Sequence, residues 1–167
     1  DEPLWSKAWT MTLDYEVHPG ENTPAPVHTE VFVMHDQSRL YVGFRAHDPD
    51  PAKIRAHLAD RDQAWGDDWV GVVLDTFNDE RRDYLFVVNP LGVQMDNIEV
   101  ESTGGTPWDG IWKSAATITQ WGWSAEMEIP FSTLRFQRSD EPQIWGFDAI
   151  RSYPRTQRHH IGTFPRD

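Results

Sequence analysis

The feature that most constrains the fold is a short apolar run in the middle of the chain, from Trp69 to Asp75. Side chains alternate between the two faces of a strand. Both faces of this one are apolar, with Val70, Val72 and Leu74 on one side and Trp69 and Val73 on the other. Such a strand is usually central in its sheet and covered on both sides. The chain must therefore supply a packing layer above and below it.

Two further strands are predicted to follow this run, each after a short polar turn. The first turn, at residues 75–80, is rich in Asp and Asn, and the apolar residues 84–89 come after it. The second turn has the sequence Asn-Pro-Leu-Gly at residues 89–92. Proline pre-sets a bend there, and glycine allows a positive φ. Residues 65–101 are thus predicted to form an antiparallel meander at the centre of the fold.

The rest of the chain repeats the alternation of a half-buried strand. The predicted strands are residues 29–35, 40–47, 111–119, 122–129 and 145–153. Only residues 52–62 have helical spacing, through Ile54, His57 and Leu58, and the basic tail at residues 154–167 is predicted to be irregular. About eight strands with at most one short helix predict an all-β fold, a two-sheet antiparallel β-sandwich of jelly-roll or immunoglobulin-like type. One such domain would fill residues 1–167.

Composition excludes several classes of function. Acidic residues outnumber basic ones by 27 to 15, which gives a formal net charge of -12. This balance argues against a nucleic-acid partner, since nucleic acids are bound by basic faces. No apolar run approaches the roughly 20 residues of a transmembrane helix, and the absence of cysteine excludes disulfides and thiolate metal sites. The nine tryptophans are unusual for so polar a chain, and most are expected in the core.

Trp65 is the strongest candidate for ligand contact. It lies between Ala64 and Gly66 and next to Asp67 and Asp68, which leaves its ring room to lie open beside hydrogen-bond acceptors. An open aromatic face with a few polar groups is suited to a sugar ring. Two more residues are assigned to the same site, Asn89 and Trp108. The alternative is that Trp65 only covers one end of the sandwich.

The chain also carries residue types suited to three other chemistries. Asp75, Asn78 and Asp79 offer oxygen ligands for Ca²⁺, although simple Asx-turn bonding explains the same residues. Haem ligation would draw on the methionines and histidines Met34, Met95, Met127 and His28 or His47. The sequence contains no nucleophile elbow, phosphate loop or zinc-helix motif, so a two-carboxylate hydrolase has no specific support.

The sequence contains, in this order, the segments DEPLWSKA, RLYVGFRAHDPDP, DDWVGVVLDTFNDERRDYLFVVNPLGVQMD, WGWSAEMEIPFSTLRF and WGFDAIRSYPR. Together these segments resemble the family 9 carbohydrate-binding-module-like domain, in the form found before an outer-membrane β-barrel in Gram-negative surface proteins. The resemblance implies a jelly-roll sandwich, calcium in some members, and a sugar held between two aromatic jaws. Trp65 matches one jaw. Near the second, the sequence offers Arg158, His159 and His160, and Leu85 to Val88 replace a sugar-binding arginine.

The residues and the resemblance together predict a non-catalytic carbohydrate- or glycan-binding module, with a structural Ca²⁺ as its only cofactor. Its expected location is periplasmic, outer-membrane-associated or extracellular in a Gram-negative bacterium. The chain is expected to be a domain of a longer protein. The alternative function is a structural or interaction domain that docks onto a C-terminal outer-membrane barrel of the same polypeptide.

Overall fold

The computed structural model describes residues 3–100, 104–137 and 139–166, so Glu101 at the end of the predicted meander lies outside the described residues. Short 3-10 turns occur at Pro3–Lys7, Pro51–Lys53 and Phe131–Thr133. No helix in these ranges is long and apolar enough to cross a membrane. The described strands are β1 (Trp9–Thr12), β2 (Tyr15–His18), β3 (Thr23–Pro24), β4 (Thr29–His35), β5 (Arg39–His47), β6 (Trp69–Asp75), β7 (Arg82–Val88), β8 (Gln94–Val100), β9 (Gly104–Pro107), β10 (Lys113–Thr119), β11 (Gly122–Pro130), β12 (Gly146–Pro154) and β13 (Arg158–Gly162).

These strands form two antiparallel sheets that pack as a sandwich. The five-stranded sheet has the order β1-β4-β5-β11-β10, and the eight-stranded sheet has the order β3-β2-β13-β12-β6-β7-β8-β9. The all-β, two-sheet antiparallel fold predicted from the alternation is therefore confirmed. More strands are present than the eight expected, because short edge strands such as β3 and β9 carry too little pattern to be recognised in the sequence.

β6 occupies the central position that its composition predicts. It pairs with β12 on one side and with β7 on the other. Its inner residues Val70, Val72 and Leu74 are at most 1% exposed and join the main core between the sheets. On the outer face, Trp69 and Val73 belong to a second cluster, which is completed by Ala64, Leu85, Val87, Val93, Met95 and Ile150. The second cluster supplies the additional packing layer that an apolar outer face requires.

The two predicted hairpins are confirmed and build most of the five-stranded sheet. β4 pairs with β5, and β10 pairs with β11. In β11 the alternate residues Trp123, Ala125, Met127 and Ile129 are at most 2% exposed. The alternation in this strand therefore identified the core face correctly.

Residues 52–62, where the spacing predicts at most one short helix, form no α-helix. Only Pro51–Lys53 forms a 3-10 turn, and the rest of the segment is extended or irregular. The backbone N–H groups of Arg55 and His57 donate to the carboxylates of Asp68 and Asp67 instead of to helical carbonyls. Leu58 is 83% exposed whereas Ile54 packs against the main core, so the apolar residues of this segment do not share one buried helical face.

The prediction that the tail is irregular is wrong, because residues 158–162 form β13. This strand pairs with β12 and with β2 inside the eight-stranded sheet. Ile161 points into the core and is fully buried. The neighbouring histidines point apart: His159 pairs with Glu16, and the His160 ring lies 5.8 Å from the Trp69 ring. These long-range contacts order a segment whose own sequence is mostly basic and polar.

A substitution at Gly71 in β6 tests how closely the central strands approach each other. A Cβ atom at this position would lie 2.5 Å from the Phe86 carbonyl oxygen and 2.7 Å from a Val87 methyl group. We expect Gly71→Ala to lower the free energy of unfolding by about 1–3 kcal/mol, since the strands must separate to admit the methyl group. Urea unfolding followed by tryptophan fluorescence measures the change.

Gly66→Ala is the matched control, because nothing lies within 4 Å of a Cβ at that position. Its free energy of unfolding should stay within about 0.5 kcal/mol of the wild-type value. Equal destabilisation by the two substitutions would contradict the close packing of β6 against β7.

Candidate functional site

Trp65 lies at the surface, on the connection that runs over the outer face of the eight-stranded sheet. Residue Ala64 is 3% exposed and packs in the outer cluster, which anchors the connection to the sheet. The adjoining Trp65 is 37% exposed, and its ring meets the Trp69 ring edge to face at 6.1 Å. One side of the indole is thus supported by the cluster while part of the ring stays accessible.

A buried hydrogen-bond network under the connection fixes its path. Asp67 accepts from the backbone N–H of His57 at 2.8 Å and pairs with the His57 ring at 2.6 Å. The Asn89 amide donates to Asp67 and to the His57 carbonyl, each at 3.0 Å. Burial alone raises the pKa of Asp67, but the hydrogen bonds from His57 and Asn89 outweigh it and hold that pKa below its usual value. The ionised carboxylate is therefore a fixed acceptor in this network.

Arg158 ties the same connection to β13. Its guanidinium donates to the carbonyl oxygen of Gly66 at 2.8 Å and to that of Asp67 at 3.4 Å. These two carbonyls belong to the residues that directly follow Trp65. Arg158, which the family resemblance places near the second jaw, is thus a positioning residue for Trp65.

A cleft opens beside the Trp65 ring, with a volume of about 210 Å³. Its lining residues are Asp62, Trp65, Asp96, Asn97, Gly105 and Pro107. Trp65 supplies an aromatic surface, and Asp62 and Asn97 supply polar groups. An aromatic face with a few polar groups is the usual composition of a small-molecule site.

Hydrogen bonds to the backbone of β8 hold Asp62 at the cleft. Asp62 donates its backbone N–H to the Gln94 carbonyl, and its carboxylate accepts the backbone N–H of Asp96 at 2.8 Å. Burial raises the pKa of Asp62, and the hydrogen bond from the Asp96 backbone N–H opposes this change only in part. Asn97 Oδ1 has no hydrogen-bond partner within the described ranges.

Arg61 and Asp96 close the inner end of this region. The Arg61 guanidinium pairs with the Asp96 carboxylate and donates to the Gly110 carbonyl at 2.8 Å. Asp96 is 2% exposed and also accepts from the Trp112 indole at 2.7 Å. This carboxylate is therefore fully engaged and serves to join β8 to the segment before β10.

Asp68 belongs to a second buried network, at the end of the sandwich. Asp68 is fully buried, and its carboxylate is bound by the Arg155 guanidinium at 2.9 and 3.1 Å. Arg155 also pairs with Asp48, and its guanidinium lies over the Tyr153 ring at 4.1 Å. Burial raises the pKa of Asp68 even though Arg155 and the backbone N–H of Arg55 favour its charged form. The arrangement joins the chain after β5, the start of β6 and the end of β12.

The structure brings only one of the predicted ligand-binding residues to the cleft, namely Trp65. Asp67, Asp68 and Asn89 are each at most 4% exposed and lie in the supporting networks. The Trp108 ring packs in the core against Tyr84 and Phe86, at 5.0 and 5.7 Å. Sequence reasoning did not assign Asp62 or Asn97 to the ligand site, because one is only a polar residue before the predicted meander and the other a polar residue within it.

The predicted metal residues form a tight turn after β6. The Asp75 carboxylate accepts three backbone N–H groups, from Phe77, Asn78 and Glu80. Asp79 accepts the backbone N–H of Arg81 in the same way. These bonds show that Asp75 and Asp79 stabilise the turn. Calcium binding at Asp75, Asn78 and Asp79 stays a prediction. A cation there would have to share the Asp75 oxygens with the backbone.

The residues considered for haem do not form one obvious site. Met95 and Met127 are at most 2% exposed and belong to different hydrophobic clusters. His28 and His47 lie together, with ring centroids 5.2 Å apart. Neither Met95 nor Met127 is in a position to share a haem with these histidines, and haem binding stays a prediction.

Comparisons with known proteins agree with this architecture. The sequence profile of one family, described as Carbohydrate family 9 binding domain-like, matches residues 1–160. A curated relative, endo-1,4-beta-xylanase C of Paenibacillus barcinonensis, is 28% identical over 149 residues. The alignment covers 89% of this chain but only 12% of the xylanase, so the chain corresponds to a small part of that protein.

Two solved structures share the fold. A Bacteroides uniformis protein classed by inference as carbohydrate-binding superposes with a TM-score of 0.78 at 14% identity, covering 96% of this chain and 79% of that chain. A family 9 carbohydrate-binding module from Caldicellulosiruptor kristjanssonii, solved with cellotriose, gives a TM-score of 0.69 at 16% identity, covering 98% of this chain and 76% of that chain. At these identities the superpositions establish the fold alone.

Replacing Arg155 tests the buried network at the end of the sandwich. Arg155→Met keeps most of the side-chain volume but leaves the fully buried carboxylates of Asp48 and Asp68 without their cation. We expect the free energy of unfolding to fall by about 3–5 kcal/mol, because a buried charge that loses its partner is strongly destabilising. Chemical denaturation at neutral pH measures the loss.

Arg39→Met is the matched control, since Arg39 pairs with Glu128 at 2.9 Å but both side chains are partly exposed. A surface pair of this kind contributes about 0–1 kcal/mol. If the two arginine variants lost the same stability, the Arg155 network would have no special structural role.

Proposed function

Since this chain belongs to the Carbohydrate family 9 binding domain-like family, we propose that it is a non-catalytic carbohydrate-binding module that holds a sugar ring on Trp65. The observation that carries the proposal is the partly exposed Trp65 ring at the rim of a cleft lined by Asp62 and Asn97. A sugar presents flat patches of C–H groups and a rim of hydroxyls. The first suits an indole face, and the second suits carboxylate and amide groups.

The rigidity of the site supports binding more than catalysis. Trp65 is supported by Trp69, and the residues after it are bound by Arg158 and by the Asp67 network. A platform fixed before binding loses little conformational entropy when the ligand arrives. The buried carboxylates nearest the cleft, Asp67 and Asp96, are engaged by internal donors and so are poorly placed to act on a substrate.

The proposed ligand class is a β-1,4-linked glycan, of the cello- or xylo-oligosaccharide type. Support comes from the cellotriose bound in the structurally similar module and from the xylanase to which this chain is related. The small cleft suits one or two sugar rings at a chain end or an exposed stretch. Trp65 is the one aromatic side chain among the described residues that line the cleft, which predicts modest affinity because the sugar ring would be stacked on one side only.

The location and the further partners stay proposals that rest on the sequence resemblance. They are a periplasmic, outer-membrane-associated or extracellular setting, a C-terminal β-barrel in the same polypeptide, and a structural Ca²⁺. Docking onto such a barrel is the alternative function. Glycan binding by the isolated domain separates the two functions, because a docking domain has no need of a sugar site.

Trp65→Ala provides the direct test. We expect cello- or xylo-oligosaccharides to bind the wild-type protein in a calorimetric titration, and the substitution to lower the affinity about thirtyfold or more. A central tryptophan of a binding site typically contributes about 2 kcal/mol or more. The unfolding midpoint should change little, since part of the Trp65 ring already faces solvent.

Trp9→Ala is the matched control, because Trp9 is 61% exposed and lies on β1 of the other sheet. This variant should bind the oligosaccharides as the wild type does. Equal binding by the Trp65 variant would contradict the assignment of the cleft. A wild-type protein that bound neither oligosaccharide class would contradict the proposed ligand.

A further inference from the structure

A second cluster of ligand-type side chains lies at the open end of the β4–β5 hairpin, away from Trp65. It consists of His28, Glu30 and His47, whose potential metal-binding atoms all lie within 4.8 Å of one another. His47 Nε2 is 3.0 Å from Glu30 Oε2, and the His28 and His47 rings are 5.2 Å apart with a tilt of 38°. None of these residues contributes to the cleft beside Trp65.

Strand pairing explains why the three side chains converge. The backbone N–H of His47 donates to the carbonyl of His28, so the two residues face each other across the β4–β5 ladder. Glu30 follows His28 by two positions and therefore points to the same face of the sheet. The convergence is a property of the hairpin register and does not depend on a flexible loop.

The backbone under the two histidines is fixed by one buried guanidinium. Arg151 is fully buried, and its NH1 group donates to the His47 carbonyl at 3.0 Å, to the His28 carbonyl at 3.4 Å and to Thr29 Oγ1 at 2.9 Å. The backbone carbonyls of both histidines thus accept hydrogen bonds from the same buried guanidinium. A ligand set held in this way is pre-organised for a small ion.

The space beside the histidines leaves room for a further ligand. A cavity of about 410 Å³ is lined by Pro26, Val27, His28, His47, Asp48, Pro49 and Trp121. The Trp121 ring lies 5.0 Å from the His47 ring and is 39% exposed. The His47 ring is therefore held between Trp121 and His28, and solvent reaches the cluster from this side.

The donor set selects the chemical class of the ion. Two imidazole nitrogens and one carboxylate oxygen suit Zn²⁺ and neighbouring divalent transition metals, whereas Ca²⁺ and Mg²⁺ are bound through oxygen ligands. Three protein ligands leave a fourth position of a tetrahedral ion open to water or another ligand. A Glu30–His47 ion pair alone would account for two of the residues and would give no role to His28.

We propose that His28, Glu30 and His47 form a site for a divalent transition-metal ion of the zinc type, with its open coordination position toward the cavity beside Trp121. Metal binding would tie the start of β4 to the end of β5. The site is independent of the Trp65 cleft, and the two functions can therefore be tested separately.

The test is a calorimetric titration of the full chain with Zn²⁺ alone, after treatment with a chelator and without a histidine tag. We expect one bound Zn²⁺ per chain in the wild type, and an affinity at least about tenfold lower in His28→Gln and in His47→Gln, since each removes a ligand. His35→Gln is the matched control, because His35 is an exposed histidine at the other end of β4. It should bind Zn²⁺ as the wild type does.

Glu30→Gln gives a second measurement that does not disturb the rings. It keeps the side-chain shape but removes the charge, and it should also weaken Zn²⁺ binding at least about tenfold. Circular dichroism confirms that each variant is folded. The proposal is overturned if the wild type shows no saturable Zn²⁺ binding, or if His35→Gln loses as much affinity as His28→Gln and His47→Gln. Oligosaccharide binding should be unchanged in all four variants.

Discussion

The buried pairing of Arg155 with Asp48 and Asp68 is the interaction on which the rest of the structure depends. The two carboxylates are fully buried and are separated from Arg155 by 107 and 87 residues in the chain. The buried Arg151 guanidinium lies close enough to be influenced by both carboxylates, but its own hydrogen bonds go to Thr29 Oγ1 and to the carbonyls of His28 and His47. Burial lowers the pKa of Arg151 to about 10, and the charges of Asp68 and Asp48 partly oppose the change. A group of buried charges is stable only when each has its partners, and the cluster therefore fixes how three distant segments meet.

Both proposed binding surfaces are supported by this cluster. Asp68 binds the backbone N–H of Arg55 and so sets the starting point of the connection that carries Trp65. Arg151 binds the carbonyls of His28 and His47 and so holds the peptide groups that carry the proposed metal ligands. The sugar cleft and the histidine cluster lie on different elements, but a common set of charges positions them. Loss of one buried charge should therefore disturb both surfaces, whereas loss of a ligand-contacting side chain should affect only its own.

Local pattern was sufficient to predict the framework but not the partners of the polar residues. The double apolar face of β6 and the alternation in β11 are patterns of residues adjacent in sequence, and both strands were predicted correctly.

β13 was missed because Arg158, His159 and His160 give no apolar alternation. These residues are held in place by contacts with Gly66, Glu16 and Trp69, which are distant in sequence. Residues 52–62 form no helix for a similar reason, since the carboxylates of Asp67 and Asp68 accept the N–H groups that a helix would use. Trp65 could be recognised as a surface residue from its local setting. Tertiary contacts decide the roles of the polar residues. They place Asp67, Asp68 and Asn89 in the supporting networks, and they place Asp62 and Asn97 in the lining of the cleft.

The most direct test of the central claim is an NMR titration that follows the indole N–H signals of the nine tryptophans during addition of cellotriose. We predict that the Trp65 signal shifts most, together with the side-chain amide of Asn97, while the signal of the fully buried Trp123 stays in place. Shifts confined to Trp5, Trp9 and Trp121 would place the ligand on the five-stranded sheet and contradict the account. The absence of any shift at saturating cellotriose, with the same result for a xylo-oligosaccharide, would contradict it as well.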